Sequence, residues 1–178
     1  MIRYLARHRV ALGWAVALAV LCLAAPTACS LGLGIPLAAI GLAVRGVAAG
    51  TIRKGRALAQ TGPYGLTRNP LYLGSSLMAV GFGVMSGSAA GAALLIAPSA
   101  ALYPLIIRNE EAELRARFGP EFDEFRRRVP CFFPRRLRAR VLGSFSLRQF
   151  MANREYNAAI GFLAATGVLA IKYLLSQP

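Results

Sequence analysis

Two short stretches of this chain carry residue types that can do chemistry together. The first, Thr61 to Gly74, reads TGPYGLTRNPLYLG, and the second opens with Glu110 and Glu111, the first acidic residues in the chain. Asn69-Pro70 reads as a helix start. Asn is a good N-cap, and proline suits the first helical position because its missing N–H costs nothing there. The free N–H groups and positive end of such a helix welcome an anion, and Arg68 adds charge beside them. Gly74 suggests close approach of a neighbour or a ligand.

Tyr64 and Tyr72 offer ring faces for a heterocycle or a sulfonium. Glu110 and Glu111 are consecutive, so on a helix they point about 100° apart and cannot do one job. One can hold an ammonium or ribose hydroxyls while the other pairs locally, with Arg115 the candidate partner. The plainer alternative leaves both solvated at a membrane interface. Arg108 is the candidate for orienting an anionic substrate group.

Other chemistries lack their parts. The single histidine, His8, lies in a basic leader, so no histidine triad or histidine-rich metal site is expected. Cys22, Cys29 and Cys131 have no metal or redox spacing and read as apolar filler. Gly81-Phe82-Gly83 has no strand–loop–helix context for a dinucleotide.

The elements that position these residues follow from composition. The chain has 178 residues, 56% of them hydrophobic and 16% charged, against about 25% charged in a typical soluble domain. Residues 10–44 and 70–107 carry no charge, and a spanning helix needs roughly 20 apolar residues. Each run therefore suits two spans. The expected fold is an all-α integral membrane protein with about five transmembrane helices, at 10–25, 31–49, 70–86, 89–107 and 158–175. Short amphipathic interfacial helices follow the fourth span, over Arg108 to Val129, with Glu111–Arg115 and Glu113–Arg117 as supporting pairs. Turns are expected near Pro26 to Pro36 and Ser86 to Gly91. Kinks are expected at Pro98 and Pro104, and Lys172 is expected to snorkel. A cleaved secretory signal at the N-terminus is a weaker reading, because a second apolar run follows almost at once.

Net charge is +14. It crowds into Arg3 to Arg9, Arg45 to Arg68 and Arg108 to Arg154, while the intervening turns carry none. That is the positive-inside pattern and not a nucleic-acid footprint. It places the N-terminus and both motif segments, 50–69 and 108–154, in the cytoplasm, with the C-terminus opposite. A bacterial inner membrane is the expected location. The whole chain reads as one domain.

TGPYGLTRNPLYLG followed by EEAELRARFGPEFDEFRRRVPCFFP resembles the isoprenylcysteine carboxyl methyltransferase family and its bacterial relatives, in the same broad group as the phospholipid N-methyltransferases. The match covers about Gly62 to Pro134, with weaker similarity around Asn153 to Tyr156. The resemblance implies a small helical membrane enzyme that takes S-adenosylmethionine from the cytoplasmic side. Its first motif falls on Arg68, Pro70, Tyr72 and Gly74, with Asn69 where the family usually has histidine. Its acidic motif falls on Glu110 and Glu111 and implies contact with the cofactor. The expected cofactor-binding set is thus Tyr64, Arg68, Asn69, Pro70, Tyr72, Gly74, Glu110 and Glu111. Asn69 cannot act as a base near neutral pH, and a carboxylate nucleophile needs none. The expected activity is therefore methylation of a carboxylate on an isoprenoid-linked or other lipophilic acceptor, a small molecule or a lipidated partner. An N-methyltransferase acting on a lipid amine is the alternative, and a non-enzymatic membrane scaffold or transport accessory is the alternative of another class.

Overall fold

A computed structural model describes residues 2–53, 57–135 and 145–177, with residues 2–12 described by backbone alone. The leader side chains, His8 included, lie outside the described residues, as do Lys54, Arg56 and much of the Arg135 to Arg140 run. Among the described residues the chain forms seven α-helices: α1 (Ile2–Leu23), α2 (Ala28–Thr51), α3 (Pro70–Met85), α4 (Ala89–Phe118), α5 (Pro120–Arg128), α6 (Leu147–Ala152) and α7 (Tyr156–Leu175). All five apolar segments are helical. By length and composition α2, α4 and α7 can each cross a membrane, while α3 and the apolar part of α1 are shorter. Trp14 is 74% exposed and Leu175 82%, and Leu33, Leu163 and Ile171 are also exposed. An apolar surface on this scale needs lipid around it.

Local chemistry shifts several boundaries. Thr27 and Ser30 form a reciprocal capping box, so α2 starts at Ala28. Pro36, expected in the turn, lies inside α2 on an exposed face. The fourth helix does not end near residue 107 but runs unbroken for 30 residues to Phe118. The polar stretch after Ile107 is rich in Arg, Glu, Ala and Leu, all good helix formers. Only Gly119, at φ +52°, stops it. The first of the two expected interfacial helices is therefore the end of α4. At about 45 Å this helix exceeds the roughly 30 Å hydrocarbon core, so its charged end projects from it. Arg115 pairs with Asp123 at 3.0 Å, not with Glu111. Lys172 donates to the carbonyls of Leu21 and Cys22 at the C-terminal end of α1.

The centre of the fold is an antiparallel pair, α2 against α3. Gly34, Ala38 and Gly41 on α2 meet Gly81, Met85, Gly74 and Met78 on α3. A Cβ at Gly41 would lie 2.6 Å from the Gly74 carbonyl, and one at Gly81 2.5 Å from the Ala38 nitrogen. Small residues let the two backbones touch, which is how membrane helices associate without a hydrophobic driving force. Phe162 and Leu169 of α7 join Leu31, Ala38 and Met85 in this core. A second, smaller core lies under α5, where Phe122, Phe125 and Val129 pack against Leu58, Leu114 and Phe118.

Candidate functional site

The start of α3 is fixed from both sides. A 3-10 turn over Gly62–Gly65 buries Pro63 and Tyr64. The next residues then dock on the chain leaving α5. The Arg68 amide donates to the Pro130 carbonyl at 2.9 Å, and Thr67 Oγ1 and Asn69 Nδ2 both donate to the Cys131 carbonyl, at 3.1 and 3.0 Å. The Arg68 guanidinium bonds the Val129 carbonyl at 2.7 Å and the Arg126 carbonyl at 3.1 Å, capping the C-terminal end of α5. Asn69 occupies the N-cap position of α3, but its side chain is turned to Cys131 and caps nothing. The first turn of α3 thus has no side-chain cap. Pro70 is fully buried as its first residue.

The two separated motifs meet here. Arg68 Nε donates to Glu111 at 2.8 Å, and the Tyr72 hydroxyl donates to Glu110 at 2.6 Å. The roughly 100° between consecutive helical residues sends the two carboxylates to different flanks of the α3 start. Glu111 is the one that pairs locally, with Arg68 as its partner. Glu110 is exposed, and among the described residues its one hydrogen bond is with Tyr72. Tyr72 also packs its ring on Tyr103 of α4, centroids 5.0 Å apart.

Tyr64 lies on the Glu110 flank. It is 6% exposed, and among the described residues its hydroxyl has no hydrogen-bond partner. Burial first, then the negative charges of Glu110 and Glu155, hold that hydroxyl firmly protonated, with Arg45 acting the other way. An orphaned buried hydroxyl costs about 1–3 kcal/mol, so this donor fits a polar ligand bearing an acceptor.

Gly74 faces α2, not the site: a Cβ there would meet the Arg45 side chain and the Gly41 carbonyl, both at 2.6 Å. Its visible role is close packing. Among the described residues Arg108 pairs with neither carboxylate; it lines a cavity of about 570 Å³ between α3 and α4, together with Arg68, Glu111, Arg126 and Cys131.

Three features were missed by sequence reasoning. Arg45 pairs with Glu155 through two bonds of 2.6 and 3.1 Å and also donates to Ser75. This ties α2, α3 and the foot of α7 together directly behind the motif. Asn153 adds bonds to the Ala49 and Ile52 carbonyls at the end of α2. The signal was available, since an acid at the foot of an apolar span needs a partner and Arg45 stands at the foot of another. The third feature, Cys131, sits beside Glu111 and Asn69 at the cavity; crowding around its thiol, then the Glu111 charge, push its pKa up. That contact gave no signal in the sequence.

Glu155→Gln should lower stability by about 2–4 kcal/mol, because it strands the Arg45 charge; the range is kept modest since Arg45 retains a quarter of its surface. Thermal unfolding in detergent measures it. A melting temperature equal to wild type would show that the pair carries no structure.

The family profile for phospholipid methyltransferase matches residues 14–121, which includes both the α3 start and the two glutamates. A nickel-cobalt-cadmium resistance protein, NccN, from Alcaligenes xylosoxydans xylosoxydans is 33% identical over 93% of this chain and 83% of its own length. A cobalt-zinc-cadmium resistance protein, CzcN, from Cupriavidus metallidurans is 35% identical over 77% of this chain, which spans 62% of that relative. No solved structure matches.

Proposed function

Since this chain belongs to the phospholipid methyltransferase family, we propose that it is an S-adenosylmethionine-dependent membrane methyltransferase that esterifies a carboxylate on a lipophilic acceptor. The observation that carries the reading is the convergence of Arg68 with Glu111 and of Tyr72 with Glu110 at one helix start, inside the matched region. The cofactor, when bound, supplies the methyl group. Glu110 would hold its ammonium, the unpartnered Tyr64 hydroxyl would donate to one of its acceptor oxygens, and the uncapped first turn of α3 would face its carboxylate. Arg68 and Glu111 act as positioning residues that lock the ends of α4 and α5 over α3.

On the acceptor side, Arg108 orients the anionic group at the cavity between α3 and α4. A carboxylate is ionised at neutral pH, so the site has only to align it and keep water out. That demand suits Asn69 in place of a base. In this reading the motif segments face the cytoplasm of a bacterial inner membrane, the orientation that the positive-inside bias favours. A part in metal tolerance, if shared with the named relatives, would run through the methylated membrane component.

Glu110→Gln should weaken S-adenosylmethionine binding at least about tenfold, the size expected when a charged partner is lost, without lowering the melting temperature. Glu111→Gln should chiefly lower the melting temperature. Calorimetry and thermal unfolding in detergent measure the two effects, and wild-type binding by Glu110→Gln would remove the pocket assignment. The family description itself favours a second reading, N-methylation of a phospholipid amine. Labelled cofactor given with host membranes separates the two: a methyl ester releases volatile methanol in mild base, whereas an N-methyl lipid keeps its label.

A further inference from the structure

The cavity between α3 and α4 has a shape and a charge distribution of its own. At its far end Gly83 packs against α4 so closely that a Cβ would sit 3.1 Å from the Ala92 Cβ and 3.4 Å from the Ile96 Cδ1. Between that contact and the start of α3 the two helices leave a groove. Ala79 and Val80 line one wall and Ile96 and Ala100 the other, until the groove opens at Arg68, Arg108 and Arg126. Pro70 to Val80 is about 15 Å of helix. That is half of a roughly 30 Å hydrocarbon core, the depth of one leaflet.

The mouth has unbalanced charge. Glu111, the acid on the groove, is already paired with Arg68. Among the described residues no acidic group or hydrogen-bond acceptor engages the guanidinium of Arg108 or of Arg126. An apolar slot one leaflet deep, closed at the inner end and with free cations at the outer end, complements an aliphatic chain carrying an anionic head.

We infer that this groove holds the hydrocarbon tail of an anionic-headed lipid, that Arg108 and Arg126 take the head, and that Ala79, Val80, Ile96 and Ala100 set the tail length. The inference deepens the proposed function and rests on it only in taking the occupant to be the methyl acceptor.

The test uses the full chain in phosphatidylcholine nanodiscs, with cis-parinarate as the fluorescent probe and saturated fatty acids of eight to eighteen carbons as competitors. For the wild type, affinity should rise with chain length and then level off. Ala79→Leu with Ala100→Leu fills the inner end. Each methylene it excludes should cost roughly fourfold in affinity, so the longest acid should lose at least about tenfold while the shortest is unchanged. Ile96→Ala is the reciprocal variant and should move the plateau to longer chains, which keeps the test open if the larger side chains disturb folding. Arg108→Gln with Arg126→Gln should weaken every length by a similar factor. The inference is overturned if the length profile is the same in all variants. It is also overturned if a long-chain alcohol competes as well as the acid, or if protein-free discs give the same displacement. Calorimetry with S-adenosylmethionine on the same samples separates the two readings: an intact length profile without cofactor binding would sink the methyltransferase assignment and leave the tail slot standing.

Discussion

Arg68→Ala is expected to lower stability by about 3–5 kcal/mol, the cost of leaving a largely buried partner charge unpaired, and to drop the melting temperature by roughly 10 °C. The side chain is 10% exposed and Glu111 18%, so water can do little to compensate. Three contacts are lost at once: the Glu111 carboxylate and the Val129 and Arg126 carbonyls. The end of α5 loses its cap and α4 loses its tie to α3, so methyl transfer should vanish with the fold of the site. Arg68→Lys keeps the charge without the planar fork and should recover only part of the loss. Arg68→Ala combined with Glu111→Gln should be more stable than Arg68→Ala alone, because the stranded carboxylate is gone, yet still inactive. Thermal unfolding and cofactor calorimetry read both effects. A single variant within about 0.5 kcal/mol of wild type, as for an ordinary surface change, would contradict the wiring described.

The second large effect is a change of sign along one helix. Gly41→Ala places a methyl 2.6 Å from the Gly74 carbonyl and 2.7 Å from the Met78 nitrogen, both backbone atoms that cannot swing aside. The α2–α3 pair must separate, at about 3 kcal/mol or more, the upper range for overpacking. Gly32→Ala, nine residues earlier on the same helix, has nothing within 4 Å of its new methyl and should stabilise by about 0.5–1 kcal/mol through helix propensity. Because α3 carries the motif at its first turn, Gly41→Ala should also move Arg68 and Tyr72 off the two glutamates and weaken cofactor binding. Equal melting temperatures for the two variants would mean that the helices do not touch there.

The extent to which the sequence can be read depends on the range of the interaction. Apolar run length is a local property, and it located all five apolar helices. Gly119-Pro120 and Asn69-Pro70 are local signals too, and both mark real helix ends. Pro36 misled because proline inside a membrane-type helix is tolerated, so its presence does not locate a turn. The polar residues after Ile107 misled because a change from apolar to charged surface was read as a change of element. Those residues are strong helix formers and the backbone continues through them.

The sequence by itself determined that this is an all-helical membrane-type chain, with a family motif split between Thr61 to Gly74 and the Glu110-Glu111 pair. Apolar run length, helix stops and motif order are written in neighbouring residues. Only the tertiary structure decided which partner each charged group takes. Arg68 closes on Glu111 across 43 positions, Arg45 on Glu155 across 110, and Asn69 turns from its own helix to the Cys131 carbonyl across 62. These choices follow from how closely α2 and α3 approach and where α4 crosses the start of α3. A low-dielectric interior makes each satisfied pair decisive and each unsatisfied one costly, and that closeness is set by packing between helices far apart in the chain.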